Sequence, residues 1–220
     1  VADSFGGIIM VTLSFKIPNS LDRIFTAPVL LWRLFKYGYT FRKIHLGEGL
    51  YTIVEPQDYY WLNNYNWYLA SNGKQYYAFR NAIVSPGKIK MLSMHRQIMQ
   101  PELDAALRTQ NTQRNNLRSK LLIDHINGDS LDNRRANLRI ATPSQNAYNR
   151  PKIKSKTSSK YIGVYFEKAT KRWTVKIRIG PGKRIWLGRF DNEITAARAY
   201  DKAAKKYHKE FARLNFPKDA

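Results

Sequence analysis

Residues 172–187 alternate so regularly that few arrangements remain open to them. Arg172, Thr174, Lys176 and Arg178 fall on one side of an extended segment and Trp173, Val175, Ile177 and Ile179 on the other, because successive side chains of a strand point to opposite faces. Gly180-Pro181-Gly182 turns the chain, and the next run repeats the division, with Arg184 and Trp186 on one face and Ile185 and Leu187 on the other. Gly163-Val164-Tyr165-Phe166 supplies a first strand. Ala196, Ala197, Tyr200, Ala203, Ala204 and Tyr207 then recur at helical spacing, and the alanines allow close approach to a sheet. Residues 160–217 are thus predicted to form a three-stranded antiparallel sheet packed on one helix, with a basic and aromatic face turned to solvent. Arg198, Lys202, Lys205 and Lys206 fall on or beside the outer face of that helix.

The whole chain is basic. Its 220 residues carry 38 Lys+Arg against 16 Asp+Glu, a formal net charge of +22, which implies a polyanionic partner. The charge is uneven: residues 160–220 hold sixteen basic and six acidic side chains, and residues 100–149 hold seven and five. The C-terminal module is therefore the electrostatic handle, and the nearly balanced stretch before it is where carboxylates can gather a cation. Cysteine is absent, so disulfides and thiolate zinc sites are excluded and any metal must take O and N ligands. The uncharged run Ser4–Phe15 is too short to span a membrane and no secretory basic segment precedes it, so the expectation is a soluble intracellular protein without a membrane partner. Val1 opens the sequence, and Met10 is an alternative start.

Ahead of the C-terminal module the patterns divide the chain into smaller units. Residues 1–40 are poorly defined; within them Leu30–Lys36 reads as a short amphipathic helix packing on the next unit. Residues 41–100 carry short strands at Gly49–Val54, Trp67–Leu69, Tyr76–Arg80 and Ile89–Leu92, with turns at Ser71-Asn72-Gly73 and Ser85-Pro86-Gly87. Met94–Met99 reads as helical and stops before Pro101, and residues 102–120 read as a polar excursion or flexible loop. Residues 101–150 form the unit with the chemical site, and 151–159 a basic linker of Lys, Ser and Thr. The expected class is α+β throughout.

The site candidates cluster where a short strand, Leu121-Leu122-Ile123, runs into Asp124-His125-Ile126-Asn127-Gly128-Asp129. Asn137–Ala141 reads as the returning strand, and Thr142-Pro143-Ser144-Gln145 as a helix start with a capping box. Strand, loop, strand and helix would bring Asp124, His125 and Asn146 together, with Asn149 and Arg150 further along the helix. A carboxylate beside an imidazole suits a one-metal nuclease: hydrolysing a phosphodiester needs a base that works near neutral pH and a cation to offset charge on the phosphate. Asp124 and Asn146 are the expected metal ligands and His125 the base; Asn137, grouped with it, is placed to pin the loop or orient His125. His95 is a possible accessory, and His45 and His208 are assigned no role.

With Asp124-His125, an asparagine at 137 and another at 146, and the wording Leu131-Asp132-Asn133-Arg134-Arg135-Ala136-Asn137-Leu138-Arg139, this stretch resembles the HNH endonuclease family in its His-Asn-Asn, ββα-metal variant. Residues 41–99, with Met94-His95-Arg96, resemble the segment that precedes the motif in such proteins. The resemblance implies His125 as general base, Asp124 and Asn146 on one divalent cation, most simply Mg²⁺ with Mn²⁺ as an option and no zinc, and Asn137 as support. It also implies products with a 5′ phosphate and a 3′ hydroxyl. The long polar segment 102–120 departs from the family pattern.

Residues 160–217 resemble the APETALA2/ethylene-response-factor DNA-binding domain. The matching words are Tyr161-Ile162-Gly163-Val164, Arg184-Ile185-Trp186-Leu187-Gly188-Arg189-Phe190, Ala196-Ala197-Arg198-Ala199-Tyr200-Asp201 and Leu214-Asn215-Phe216-Pro217. This resemblance implies DNA contacts at Arg178, Arg184 and Trp186, and at Tyr165 and Lys176 with a changed residue type. Arg172 and Arg150 join them as basic candidates. Ile162 and Tyr165 stand where plant domains usually carry arginine, so the plant target does not transfer. A sheet of this kind can enter the major groove, where arginine reads guanine edges.

The combined expectation is a site-directed endonuclease acting on double-stranded DNA, a pairing that resembles enzymes of phages and mobile elements. One HNH unit holds one catalytic centre, so a monomer is expected to nick one strand, and a dimer to cut both; the oligomeric state stays open. The rival is a non-catalytic DNA-binding regulator that keeps the HNH fold as a scaffold, and a third reading is an RNA-binding module.

Overall fold

The computed structural model describes residues 18–71, 73, 75–109, 121–152 and 158–217. The run Ser4–Phe15, Met10, the polar stretch 110–120 and linker residues 153–157 lie outside the described residues.

Helix α1 spans Asn19–Tyr37 and ends at Gly38, whose φ of 77° lets its N–H reach Leu34 O at 2.8 Å. It is longer than the short helix expected at Leu30–Lys36, and it buries no residue. Polar contacts tie it to the next unit, where the Asp22 carboxylate accepts from Arg42 Nη1 at 2.8 Å and from the Tyr60 hydroxyl at 3.0 Å, and the Tyr37 ring meets Phe41 at 5.7 Å.

Strands β1 (Arg42–Gly47) and β2 (Leu50–Val54) form an antiparallel hairpin. β1 lies outside the strands expected from the sequence, yet Ile44 and Leu46 alternate inward between exposed Lys43 and His45. Helix α2 (Pro56–Leu62) follows, likewise unexpected, with proline in its first turn where no N–H is needed. β3 (Tyr68–Ser71), β4 (Tyr76–Ser85) and β5 (Lys88–Ser93) pair in that order. α3 (Met94–Ile98) is followed at once by α4 (Gln100–Thr109), so the polar excursion expected from 102 starts as a helix. Leu103, 1% exposed, anchors it, and a single inward leucine in a polar sequence is too weak a periodicity to signal a helix.

β6 (Leu122–His125) pairs with β7 (Leu138–Ala141), and α5 (Pro143–Tyr148) starts at Thr142. The capping box is present: Thr142 Oγ1 accepts from Gln145 N, and Gln145 Oε1 from Thr142 N at 2.8 Å. This ββα unit shares one core with residues 41–100. Buried Ile44, Val54, Leu62, Trp67, Met94 and Ile98 cluster with Leu138, and Ile123, Leu131 and Ile140 pack against them. Two backbone bonds, Ile53 N to Leu131 O and Asn133 N to Ile53 O, fasten the loop between β6 and β7 onto β2.

β8 (Val164–Glu167), β9 (Arg172–Gly180) and β10 (Lys183–Phe190) form an antiparallel sheet with β9 central, and α6 (Glu193–His208) covers one face. Asn192 caps α6 by accepting from Ile194 N and Thr195 N. Ala196, Ala197, Tyr200, Ala203 and Ala204 are buried against Val164, Val175 and Ile177 as their spacing predicts. Tyr207 is not; it is exposed, and His208, four residues after Ala204, takes the inward place. Gly163 sits under the Tyr200 ring at φ 74°, and a Cβ there would lie 2.1 Å from that ring. Among the described residues no helix is long and apolar enough to cross a membrane.

Candidate active site and nucleic-acid interface

The loop after β6 is shaped by its own amides. Asn127 Oδ1 accepts from Asp129 N at 2.8 Å, Asp129 Oδ1 from Leu131 N at 2.9 Å, and Gly128 takes φ 81° between them. Asn137 closes the loop: its Oδ1 accepts from Asn127 N, and its Nδ2 donates to Asn127 Oδ1 and to Asp132 O. Both ends of that amide are thereby occupied within the loop.

His125 is 7% exposed, and its Nε2 lies 3.0 Å from Asn133 Oδ1. Asn133 is fully buried and its Nδ2 donates to Thr52 Oγ1 at 2.8 Å; Thr52 Oγ1 in turn donates to Leu131 O at 2.6 Å. The direction of this chain assigns the proton. A backbone carbonyl can only accept, so the threonine hydroxyl must donate to it, the asparagine NH₂ must face the threonine, and the amide oxygen must face His125. Nε2 therefore carries the hydrogen and Nδ1 the lone pair. Burial pushes the His125 pKa down, against the raising pull of Asn133 and of Asp124, which keeps the ring neutral and basic in type.

Asp124, buried beside it, receives Arg139 Nε at 2.9 Å and Nη2 at 2.8 Å on Oδ2. Asn149, to which the sequence pattern gives no role at the site, is buried and donates Nδ2 to the Asp124 carboxylate at 3.1 Å and to His125 O at 2.8 Å. It lies three residues after Asn146 on the helical line through α5, and that spacing is the signal that points to it. Asn146 is half-buried in α5 with its backbone N–H bonded to Thr142 O. Among the described residues no three His, Cys, Asp or Glu side chains gather as a metal site. Asp124 supplies one carboxylate, an oxygen donor of the kind a hard cation takes; its Oδ1 is left by Arg139 and approached by Asn149 Nδ2 at 3.3 Å.

His95 stands at the same place. Its ring meets His125 edge to face at 5.2 Å, and Tyr77 lies 5.5 Å from the first and 6.2 Å from the second. Burial, with the neighbouring His125 adding to it, depresses the His95 pKa to about 3, so the ring is neutral. Arg150 is exposed just beyond α5.

The outer face of the second sheet follows from its register. Arg184 pairs with Arg178 and Trp186 with Lys176, and Tyr165 pairs with Thr174, so these side chains share one face. Arg178, Arg184, Lys176 and Trp186 are exposed, Trp186 by 56%. Lys176 Nζ lies 5.5 Å from the Tyr165 ring centre. A bulge between Trp186 and Gly188 restores Arg189 to this face. Two of the basic groups are paired: Arg172 with Asp191 at 2.7 Å and Arg189 with Glu167 at 2.6 Å. Thr174 lies on this face as expected but is covered there, beside Glu167.

A family model for HNH endonuclease matches residues 110–148, and one for the AP2 domain matches residues 159–210. This chain joins an HNH endonuclease domain to an AP2 domain. Similar curated proteins include APETALA2-like protein 2 of Oryza sativa subsp. indica, 43% identical over 74 residues, covering 30% of this chain and 17% of the relative. The AP2-like ethylene-responsive transcription factor TOE2 of Arabidopsis thaliana is 48% identical over 59 residues, 27% of this chain and 12% of the relative. Dehydration-responsive element-binding protein 2A of the same plant is 48% identical over 48 residues, 21% of this chain and 14% of the relative. The chain thus spans less than a fifth of each of these three relatives.

Proposed function

We propose that the protein is a site-directed DNA endonuclease in which the HNH unit hydrolyses a phosphodiester bond and the AP2 unit holds the duplex. The observation that carries this reading is the neutral His125, directed through Asn133 and Thr52 so that Nδ1 keeps its lone pair, next to a buried carboxylate on a ββα unit. His125 Nδ1 takes the proton of the attacking water. Asn133 keeps that nitrogen available, and Asn137 holds the loop that carries both. Asp124 and Asn146 would hold one divalent cation, Mg²⁺ or Mn²⁺; when bound, it offsets the charge that develops on the phosphate and the leaving oxygen. Arg178, Arg184, Lys176 and Trp186 meet double-stranded DNA from the outer sheet face, and Arg150 extends the basic surface near the helix. One centre per chain makes the monomer a nicking enzyme.

Plasmid nicking in Mg²⁺ and in EDTA tests this. Metal-dependent nicking that is lost in His125→Ala while duplex binding persists supports the enzyme. A second reading has its own observation: both Arg139 N–H groups occupy Asp124 Oδ2, and a carboxylate held this way fits a scaffold in a DNA-binding regulator. The relatives' names, transcription factor among them, lean the same way. Duplex binding with no cleavage in Mg²⁺ or Mn²⁺ selects that reading.

A further inference from the structure

We infer that the AP2 unit is docked on the nuclease as one body, and that this interface, rather than the linker at 151–159, sets the distance between the sequence read and the bond cut. The inference rests on the endonuclease reading for its cutting arm, and on geometry alone for its docking arm.

Three contacts carry it, joining residues 208–213 to α5 and to two residues, Arg139 and Asn149, that are bonded to Asp124. First, the His208 ring stacks on Tyr148 of α5 with centroids 3.8 Å apart and planes 4° from parallel. His208 is 4% exposed, and its Nε2 donates to Arg178 O at 2.6 Å. One side of that imidazole is thereby fixed to the strand that presents Arg178, and its flat face to the helix that presents Asn146. Second, Arg139, whose Nε and Nη2 grip Asp124, donates Nη1 to Glu210 O and lies over the Phe211 ring at 4.1 Å. Third, Arg213 Nη1 donates to Asn149 O at 3.3 Å, and the same nitrogen lies 2.9 Å from where a Cβ on Gly128 would stand.

These contacts differ from a casual touch between tethered domains. They bury a histidine, bridge a guanidinium between a carboxylate of one unit and a backbone carbonyl of the other, and use a glycine turn for a close approach. Lys152 Nζ adds a bond to Tyr161 O at 2.8 Å, fixing the chain at the end of the linker nearest the nuclease to the start of the AP2 unit. Aromatic stacking and a desolvated guanidinium each contribute beyond buried area.

The test inserts six Gly-Ser residues within 153–157 of the full chain, and separately makes the double variant Tyr148→Ala/Arg213→Ala. If the linker set the spacing, six residues of up to ~3.5 Å each would let the cut wander over about six base steps of ~3.4 Å. The inference expects the insertion to leave the nick at its wild-type position on a bound duplex, and the double variant to spread it over several positions. Small-angle scattering provides a readout free of activity: the inserted chain keeps its wild-type dimensions, and the double variant expands. A nick that moves with the insertion, or a wild-type scattering curve that requires an ensemble of separated units, overturns the inference. A wild-type chain that never nicks while its scattering stays compact removes the endonuclease reading and leaves the docking standing.

Discussion

Thr52→Val removes one oxygen from a strand far in sequence from His125, and the structure gives the consequence. The valine keeps the threonine's shape, so the change is confined to Oγ1, which accepts from Asn133 Nδ2 at 2.8 Å and donates to Leu131 O at 2.6 Å. Leu131 O keeps the Ile53 N–H, so the group left without a partner is one buried amide hydrogen on Asn133. An unsatisfied buried donor costs roughly 1–3 kcal/mol, which sets the expected loss of folding stability. The catalytic effect is separate. Without the hydroxyl the asparagine amide is no longer held in one orientation, and its flipped form offers NH₂ to His125 Nε2, moving the ring hydrogen to Nδ1 and removing the base. A net hydrogen bond of about 1 kcal/mol makes the flip easier by roughly five- to tenfold, and the nicking rate should fall by up to that factor. Single-turnover nicking at saturating duplex, alongside urea unfolding, measures both. Asn133→Ala should be slower still, and adding Thr52→Val to it should cost nothing further, since the two act in series. A Thr52→Val chain that loses stability yet cuts at the wild-type rate, or a double variant slower than Asn133→Ala, would refute the relay.

Arg184→Ala, on an exposed arginine paired across from Arg178, should lose about 1–3 kcal/mol of discrimination at one base position in a competition against randomised duplexes. Arg172→Ala should do less, because Arg172 is already paired with Asp191; equal losses would remove the distinction. Gly163→Ala, which forces a Cβ against the Tyr200 ring, should lower stability by about 3 kcal/mol or more and be read as a drop in the urea midpoint. Stability should also fall in acid. His95 has a native pKa near 3 against about 6.5 unfolded, so the unfolded chain binds the extra proton and the loss sets in as pH drops below about 6.5, at up to about 1.4 kcal/mol per pH unit. Burial lowers His125 and His208 in the same direction. Unfolding free energy that stays flat between pH 7.5 and 5.5 would show that these rings are not held neutral.

Local chemistry is enough wherever a pattern completes itself within a few residues. The alternation at 172–187 names both faces of its sheet, and Thr142-Pro143-Ser144-Gln145 names its own helix start, because the groups that satisfy each other are neighbours in the chain. The loop at 126–133 is legible as a turn for the same reason. β1 and α4 escape such a reading because each offers only one or two inward apolar residues, and it is partners from elsewhere that make them stable: β2 beside Ile44 and Leu46, and the burial of Leu103.

Sequence alone determined which atoms are available: an acid and an imidazole side by side, amides at two further positions, no thiol, and a large excess of positive charge. Tertiary structure decided what those atoms do. Thr52 reaches the His125 relay across 81 residues of chain to Asn133, and Arg139 is shared between Asp124 and the AP2 unit, because a buried polar group must find its partner wherever the fold brings one. Periodicity records which face a residue occupies, and carries no information about the distant strand that will complete its hydrogen bonds.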